Sequence, residues 1–519
     1  MNHSNLSRIS AAAVGVSLVW ISAAADLLRV PEQFGTIQEA IDASADGDDI
    51  LVAPGIYRES INLNRRAIRI RGQEGPGSTV IDGDGTAGYV VRFPAGTRGA
   101  TLQNLTVTGA AGQIGEAIDY GGAILVDRAF EILLRDVAVS GNVGQYGAAL
   151  FCKGGSTVVE NCDFFGNTAA YGGAVAVQLG AVSARWSRIE ANASFSSGGG
   201  VWVSGGQISF EDCVLNGNST SGTGAGIAAW QSAVNLSRCV VEANGDVPEC
   251  PSDCLFDTLN GGGVYLNAVT SGRMVDCRIT ANAANAGGGL YFTNGSAIQL
   301  VNTAIVDNVA GTAGAAAFVE TSSPDFANCT MLGNLPGGVF TTNGSSPEIV
   351  NCVLSENNAQ PFADTEVYGT GESHVSYSLI NGNVINGAIL GEGVIFASPR
   401  LDGALRPKPG SPVIDSGNNS ATPADIESDL AGMNRFIDDP DSSDVGSGGA
   451  PIVDMGAMEF SIGTLCAADF DGDGFVTGED HTRFVAAFER GSERADFDGD
   501  GFVNGADFDA FSWAFLEGC

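Results

Sequence analysis

The chain has 519 residues, with 73 glycines against 17 prolines and a hydrophobic fraction of 44%, a balance that excludes collagen and plain disorder. Acidic residues outnumber basic ones 60 to 24, for a formal net charge of −36 at pH 7, so the surface repels nucleic-acid phosphates and anionic lipid head groups. Lysine occurs only at 153 and 408 and histidine only at 3, 374 and 481, which argues against a histidine triad or a histidine-based zinc site.

Residues 1–25 place Arg8 ahead of an apolar run from Ala11 to Ile21 and end on Ala23-Ala24-Ala25. That order is the order of a signal peptide, cleaved before Asp26. A run of about eleven apolar residues is too short to cross a bilayer core of about 30 Å, and no later segment approaches the length required. A secreted or cell-surface bacterial protein is therefore expected, without a transmembrane segment once the leader is removed, in a compartment where disulfides persist.

Asparagines then recur at Asn142, Asn167, Asn192, Asn218, Asn244, Asn282, Asn308, Asn334 and Asn357, at steps of 25, 25, 26, 26, 38, 26, 26 and 23. Three residues before each stands an apolar side chain, from Val139 and Phe164 to Met331 and Leu354. Two residues further back the side chain is small, and in six of the nine repeats it is cysteine: Cys162, Cys213, Cys239, Cys277, Cys329 and Cys352. The spacing of two marks a strand with alternate residues inward. Each repeat also holds a glycine step and a second alternating strand, as in Gly172-Gly173-Ala174-Val175-Ala176-Val177. Two strands per 26 residues without helical periodicity predict an all-β solenoid, a parallel β-helix in which each turn stacks on the last. Leucine-rich repeats share the period, but their L-x-x-L-x-L spacing is absent.

The single long step is a normal one plus twelve residues, read as a loop inserted around Asp246–Asp257 without breaking the stack. Its Cys250 and Cys254 are close enough in sequence to form a disulfide. The column cysteines instead stack in parallel at about 4.8 Å, a poor geometry for bridging, and are expected as buried thiols.

Two outward columns offer chemistry. The position six residues before each asparagine carries Asp212, Arg238 and Asp276 at its centre. Two carboxylates separated by two turns, about 9.6 Å, lie near the upper end of the spacing used by inverting glycosidases. The alternative is a salt-bridged ladder in which the arginine keeps both acids ionised. A second column presents Phe151, Trp202, Tyr265 and Tyr291, with Trp230 beside them. Such rings suit stacking on sugar faces, or packing beneath loops.

The C-terminal residues contain two matching twelve-residue acidic loops. The first offers Asp469, Asp471, Asp473, Phe475 (by its carbonyl), Thr477 and Asp480; the second offers Asp496, Asp498, Asp500, Phe502, Asn504 and Asp507. Carboxylates at positions 1, 3 and 5, glycine at 6 and a carboxylate at 12 provide an oxygen shell for Ca2+ in each loop. Phe484 and Phe488 after the first loop correspond to Phe511 and Phe515 after the second, so two helices are expected to pack through these rings. Cys466 and Cys519 bracket the unit and could clasp its ends.

These motifs resemble known families. The alternation of a GG-[AG]-[VIL] step with a C-x-[FIL]-x-x-N step is similar to the repeats of polymorphic outer-membrane proteins, which form right-handed β-helices. Residues Gly35–Ile41 and Ile50–Tyr57 resemble the first turn of pectin-lyase-like proteins, in which Thr36 and Glu39 read as a capping box on a helix that covers the open end of the coil. Residues Gly410–Gly417 and Val453–Phe460 resemble the terminal turns of secreted bacterial members. The duplicated loop-helix unit resembles a type I dockerin, which implies folding on calcium and a cohesin-like or envelope-anchoring partner. Dockerins commonly carry hydroxyl residues at loop positions 10 and 11, where this chain has Gly478-Glu479 and Gly505-Ala506.

The expected organisation is thus a leader at 1–25, a right-handed parallel β-helix at 26–460, a linker at 461–465 and a dockerin-like domain at 466–519. The function this implies is binding of polysaccharide or another surface component. The alternatives are a polysaccharide lyase or glycoside hydrolase, and an adhesin or structural spacer. Pectate lyases of this fold use a calcium-binding carboxylate cluster with a catalytic Arg or Lys, and polygalacturonases a histidine beside paired aspartates; neither set is matched here.

Overall fold

A computed structural model describes residues 25–114, 122–245, 259–342, 344–357, 365–460, 468–470, 476–499 and 502–517. The leader up to Ala24, the inserted-loop cysteines Cys250 and Cys254, the pair Cys466 and Cys519, and the loop residues Asp471, Asp473, Phe475 and Asp500 lie outside them.

One turn of the coil shows how the sequence bends. β1 (Val175–Gln178), β2 (Ala181–Arg185), β3 (Arg188–Glu190) and β4 (Ala193–Ser197) follow one another, and a left-handed residue ends each: Leu179, Trp186, Ala191 and Gly198, with φ of 52°, 50°, 50° and 68°. The paired glycines have two separate tasks. A Cβ on Gly172, at φ 65°, would lie 2.2 Å from its own chain at Val175 O, whereas one on Gly173 would lie 2.1 Å from Gly199 O of the next turn. The first turns the chain, and the second lets the neighbouring turn close in.

Stacked in register, strands like β1 form a 13-stranded parallel sheet, while those like β2 and β3 form a 27-stranded one. Their alternate side chains fill a single apolar core running from Leu28 to Ile380. The asparagines are all fully buried, and each Nδ2 donates to the Oδ1 of the next, at 2.8–3.0 Å from Asn142 through to Asn357. Asn357 closes the ladder on the Glu366 carboxylate. Asn244 bonds Asn282 at 3.0 Å across the 38-residue step, so the inserted loop leaves the stack intact.

The seven described cysteines are free and buried, as expected for the column. They do more than fill space. Cys162 donates to Glu160 O at 3.3 Å and Cys277 to Val275 O at 3.2 Å, as Ser187 does to Arg185 O and Thr303 to Val301 O in the turns that lack cysteine. From Cys162 to Cys352 the column is a row of small donors turned back on their own strand, while Val137 begins it without one. Burial outweighs these contacts and pushes the Cys162 and Cys277 thiols up to about 12.

At the N-terminal end α1 (Ile37–Ala43) carries the expected Thr36–Glu39 capping box and buries Ile37, Ala40 and Ile41 over the first turn. At the other end the last described strand of the coil stops at Phe396. The segment 397–460, expected to continue as closing turns, instead runs back along the flank. Asn351 Nδ2 donates to Asn418 O at 2.9 Å, Asn302 Nδ2 to Ser428 O at 2.7 Å, and the Ala457 amide to Thr330 Oγ1 at 2.9 Å. Leu401, Leu405, Val413, Met455 and Met458 cover Ala304, Val306, Leu332 and Val353 there.

Beyond it, α2 (Gly478–Arg490) and α3 (Gly505–Glu517) pack as the phenylalanine spacing predicts, with Phe484 and Phe511 stacked 3.9 Å apart. The pair docks on the coil and the returning segment: Arg483 meets Glu242 and Arg490 Nη2 lies 2.9 Å from Asp307 Oδ1 of the coil, and Lys408 Nζ of the returning segment donates to Asp496 O at 2.7 Å. Among the described residues no helix is long and apolar enough to cross a membrane.

Candidate functional site

The column holding Asp212, Arg238 and Asp276 is the corner between β2-type and β3-type strands. Its nine members from Asp136 to Asn351 all have φ between 48° and 53°, and seven of them are Asp or Asn, the residues that tolerate this conformation best. The acids are therefore explained by backbone geometry before any chemistry is invoked.

Arg238 grips Asp212 with both arms, Nε to Oδ1 at 2.7 Å and Nη2 to Oδ2 at 3.0 Å, and meets Glu211 at 2.5 Å. Those contacts hold the guanidinium above its ordinary range. Asp276 takes no direct bond from Arg238. Burial pushes its carboxyl up, against Asn302 Nδ2 at 3.1 Å and the more distant charges of Arg238 and Arg435. The ladder is thus half formed: one acid is paired, and the other is partly buried beside the returning segment at Ser428.

The aromatic column lies on the other sheet. Register aligns Phe151, Ala176, Trp202, Ala228, Tyr265, Tyr291, Phe318, Phe340 and Tyr368. Trp230, from the adjacent outward position, leans into the gap at Ala228, 6.3 Å from Trp202 and 5.5 Å from Tyr265. The row continues Tyr265–Tyr291 at 5.3 Å, Tyr291–Phe318 at 4.8 Å, Phe318–Phe340 at 4.8 Å and Phe340–Tyr368 at 4.9 Å. At its other end Tyr146 and Tyr171 lean over from the neighbouring side of the coil to bridge Phe151 and Trp202. Of the rings singled out in the sequence, Phe151 and Tyr291 are buried at 1% and 7% exposure, whereas Trp202, Trp230 and Tyr265 are half-buried.

Sequence reasoning missed Tyr146, Tyr171, Phe318, Phe340 and Tyr368. The last three follow Tyr291 at steps of 27, 22 and 28 residues, too irregular to read without the strand register. It also missed a cavity of about 440 Å³ where the row meets the first turns, lined by Tyr89, Arg92, Asp127, Phe151 and Lys153. Arg92 and Arg128 both approach Asp127, at 3.7 and 3.0 Å, so this end of an acidic molecule gathers basic groups around one carboxylate. The corner acids and the aromatic row occupy different sheets and do not line this cavity together.

In the C-terminal unit the carboxylates of Asp496, Asp498 and Asp507 converge to within 4.8 Å of one another. Asp507 accepts the Asn504 amide at 2.8 Å and the Asp498 amide at 3.1 Å, which folds the loop over the start of α3. Asp480 accepts the Thr477 amide at 2.7 Å at the matching place before α2, and Asp469 and Asp480 are both buried. The described part of each loop offers oxygen donors only, the set that suits a hard cation.

The family model for the right handed beta helix region matches residues 93–248 and 252–395. No curated protein matches the chain. Among solved structures, pectate lyase Pel9A is 14% identical, covers 82% of this chain and 91% of its own, and superposes with a TM-score of 0.34. XylC in complex with xylose is 10% identical over 71% of this chain and 84% of its own, at 0.44. PfbA, a surface adhesin of Streptococcus pneumoniae, is 10% identical over 68% and 91%, at 0.36. With strand order, register and an extended family match in agreement, the chain belongs to the right-handed β-helix family.

Proposed function

We propose that this is an exported β-helix that holds a polysaccharide, or another glycan-bearing surface component, along its 13-stranded face. The observation that carries the reading is the unbroken aromatic row, half-exposed at Trp202, Trp230 and Tyr265, ending at the basic-edged cavity at Arg92 and Lys153. Flat rings on a rigid sheet bind sugar faces with little loss of entropy, and charged groups at one end fix orientation. The test is affinity electrophoresis against a polysaccharide panel. Trp230→Ala should weaken retention about tenfold while leaving the thermal transition nearly in place. Unchanged retention for both Trp230→Ala and Tyr265→Ala sinks the reading.

The dockerin-like resemblance adds a tether: two calcium ions held by the loops of Asp469–Asp480 and Asp496–Asp507, folding the helical unit for an anchoring partner. Convergence of Asp496, Asp498 and Asp507 supports this, as does the outer face of α3, where Trp513 and Leu516 are 67% and 81% exposed. A chelator should loosen α2 and α3 in the full chain, read as new proteolytic cleavage after residue 460. No change in cleavage counts against the calcium loops.

A second reading, a lyase or hydrolase, is favoured by one feature: Asp212 is ion-paired while burial pushes Asp276 up. Such a split is how acid and base roles are assigned to paired carboxylates. New reducing or unsaturated ends that vanish in Asp212→Ala would establish it; retention without products favours binding.

A further inference from the structure

The returning segment 397–460 buries several carboxylates and satisfies nearly all of them from its own chain. Asp429 accepts the amides of Ala431 at 2.9 Å, Met433 at 2.8 Å and Glu459 at 2.9 Å. Asp439 accepts the Asp441 amide at 3.2 Å and Ser442 Oγ at 2.6 Å, and Asp454 accepts the amides of Asp415 at 2.8 Å and Phe460 at 2.6 Å. Asp415 is the exception. It is fully buried, and neither of its carboxylate oxygens has a well-formed hydrogen bond, the Asp439 backbone amide being the one donor that approaches it. A buried carboxylate without a partner is expensive unless something positive reaches it.

What its carboxylate faces are two more acids. Carboxylate oxygens of Asp415, Asp438 and Asp444 lie within 4.8 Å of one another, and among the described residues none of the three forms an ion pair. The convergence is imposed by the backbone: the Asp415 carbonyl accepts the Val445 and Gly446 amides at 3.1 and 3.0 Å, which draws Asp444 alongside. Oxygens that share one calcium ion at about 2.3–2.6 Å each are separated by at most about 4.6–5.2 Å. The observed separation falls within that limit.

We propose that Asp415, Asp438 and Asp444 form a divalent-cation site, taking calcium as the hard ion suited to an irregular, all-oxygen loop, distinct from the acidic loops of the helical unit. The ion ties the loop 438–444 to the buried turn at Asp415 and so fastens the returning segment.

The experiment uses the full chain, stripped with a chelator, dialysed and titrated with calcium chloride alone, with bound calcium counted by elemental analysis. Asp438 and Asp444 are exposed, so the double variant Asp438→Asn/Asp444→Asn should fold even if Asp415→Asn does not. It should bind one calcium fewer than the parent and lose part of the calcium-dependent rise in melting temperature. The comparison is repeated in an Asp469→Asn/Asp496→Asn background, which removes an acid from each helical-unit loop. Loss of one equivalent on adding the double substitution there supports the site whatever the helical unit binds. Equal calcium content with and without Asp438→Asn/Asp444→Asn overturns it.

Discussion

The interior of the coil and the returning segment bury polar groups by opposite strategies. In the coil each ladder asparagine from Asn142 to Asn334 is neutral and is hydrogen-bonded by the same residue one turn on, so every bond is a repeat of its neighbour and an insertion of twelve residues passes without cost to the ladder. The returning segment buries charge instead. Arg435 and Glu459 are both fully buried, with Nε 3.2 Å from Oε1, and Arg435 Nη2 reaches Gly456 O at 2.5 Å. Arg435 Nη1 has no hydrogen-bond partner. A periodic solution spreads its demands over many equivalent contacts, whereas a unique one concentrates them on a few residues that nothing else can replace.

The sharpest way to break this contrast is Arg435→Ala, which leaves Glu459 buried without its counter-charge. Burial already pushes that carboxyl well up against the attraction of Arg435. We expect a loss of about 3–5 kcal/mol, seen in chemical denaturation and as early proteolysis between residues 397 and 460. A loss under about 1 kcal/mol would mean that the segment is not held by its ion pair. Next in size is Asn218→Ala. It strips the amide and Nδ2 of Asn192 of their shared acceptor, at 3.1 and 3.0 Å, for about 2–3 kcal/mol. If Asn218→Ala is as damaging as Arg435→Ala, the repeat confers no tolerance.

A smaller effect is expected from pH. Because burial holds the Asp276 carboxyl above its ordinary value in the folded state, the folded chain takes up this proton before the unfolded chain does. Its unfavourable contribution is full above the folded pKa and is relieved as pH falls toward the unfolded one. Asp276→Asn should therefore raise stability at neutral pH and flatten the dependence as pH falls toward the ordinary carboxylate range; a parallel pH profile for variant and parent would contradict this. The smallest change is Cys277→Ser. A hydroxyl preserves the bond to Val275 O, as Ser187 and Thr303 do in their turns, so the shift should stay within about 1 kcal/mol. Cys277→Val, which removes the donor, should cost more. Thiol reagents should label none of the seven described cysteines until the coil unfolds.

The same contrast explains what could be read in advance. The asparagine column, the small column with its cysteines, the inserted loop and the Thr36–Glu39 cap were all legible, because each is a local or strictly repeating pattern. The candidate sites were legible only in part. Asp212, Arg238 and Asp276 were correctly placed in one column, but nothing in the spacing revealed that the column is a left-handed corner, or that Arg238 would favour Asp212 and leave Asp276 to Asn302. In the aromatic column the positions up to Tyr291 were found and those from Phe318 onward were missed, where the period wandered; Tyr146 and Tyr171 were missed because they belong to the neighbouring side of the coil and meet the row only in three dimensions.

By itself, then, the sequence determined the coil: contacts one turn apart repeat at nearly constant separation, so the residue pattern encodes them directly. Only the tertiary structure decided that residues 397–460 turn back along the flank, that α2 and α3 dock beside Glu242 and Asp307, and that Asp415 meets Asp438 and Asp444. Those contacts join residues at unrelated separations, such as Asn302 with Ser428 or Arg483 with Glu242. Each occurs once and leaves no periodic trace, so it becomes visible only when the apolar flank of the coil has to be covered.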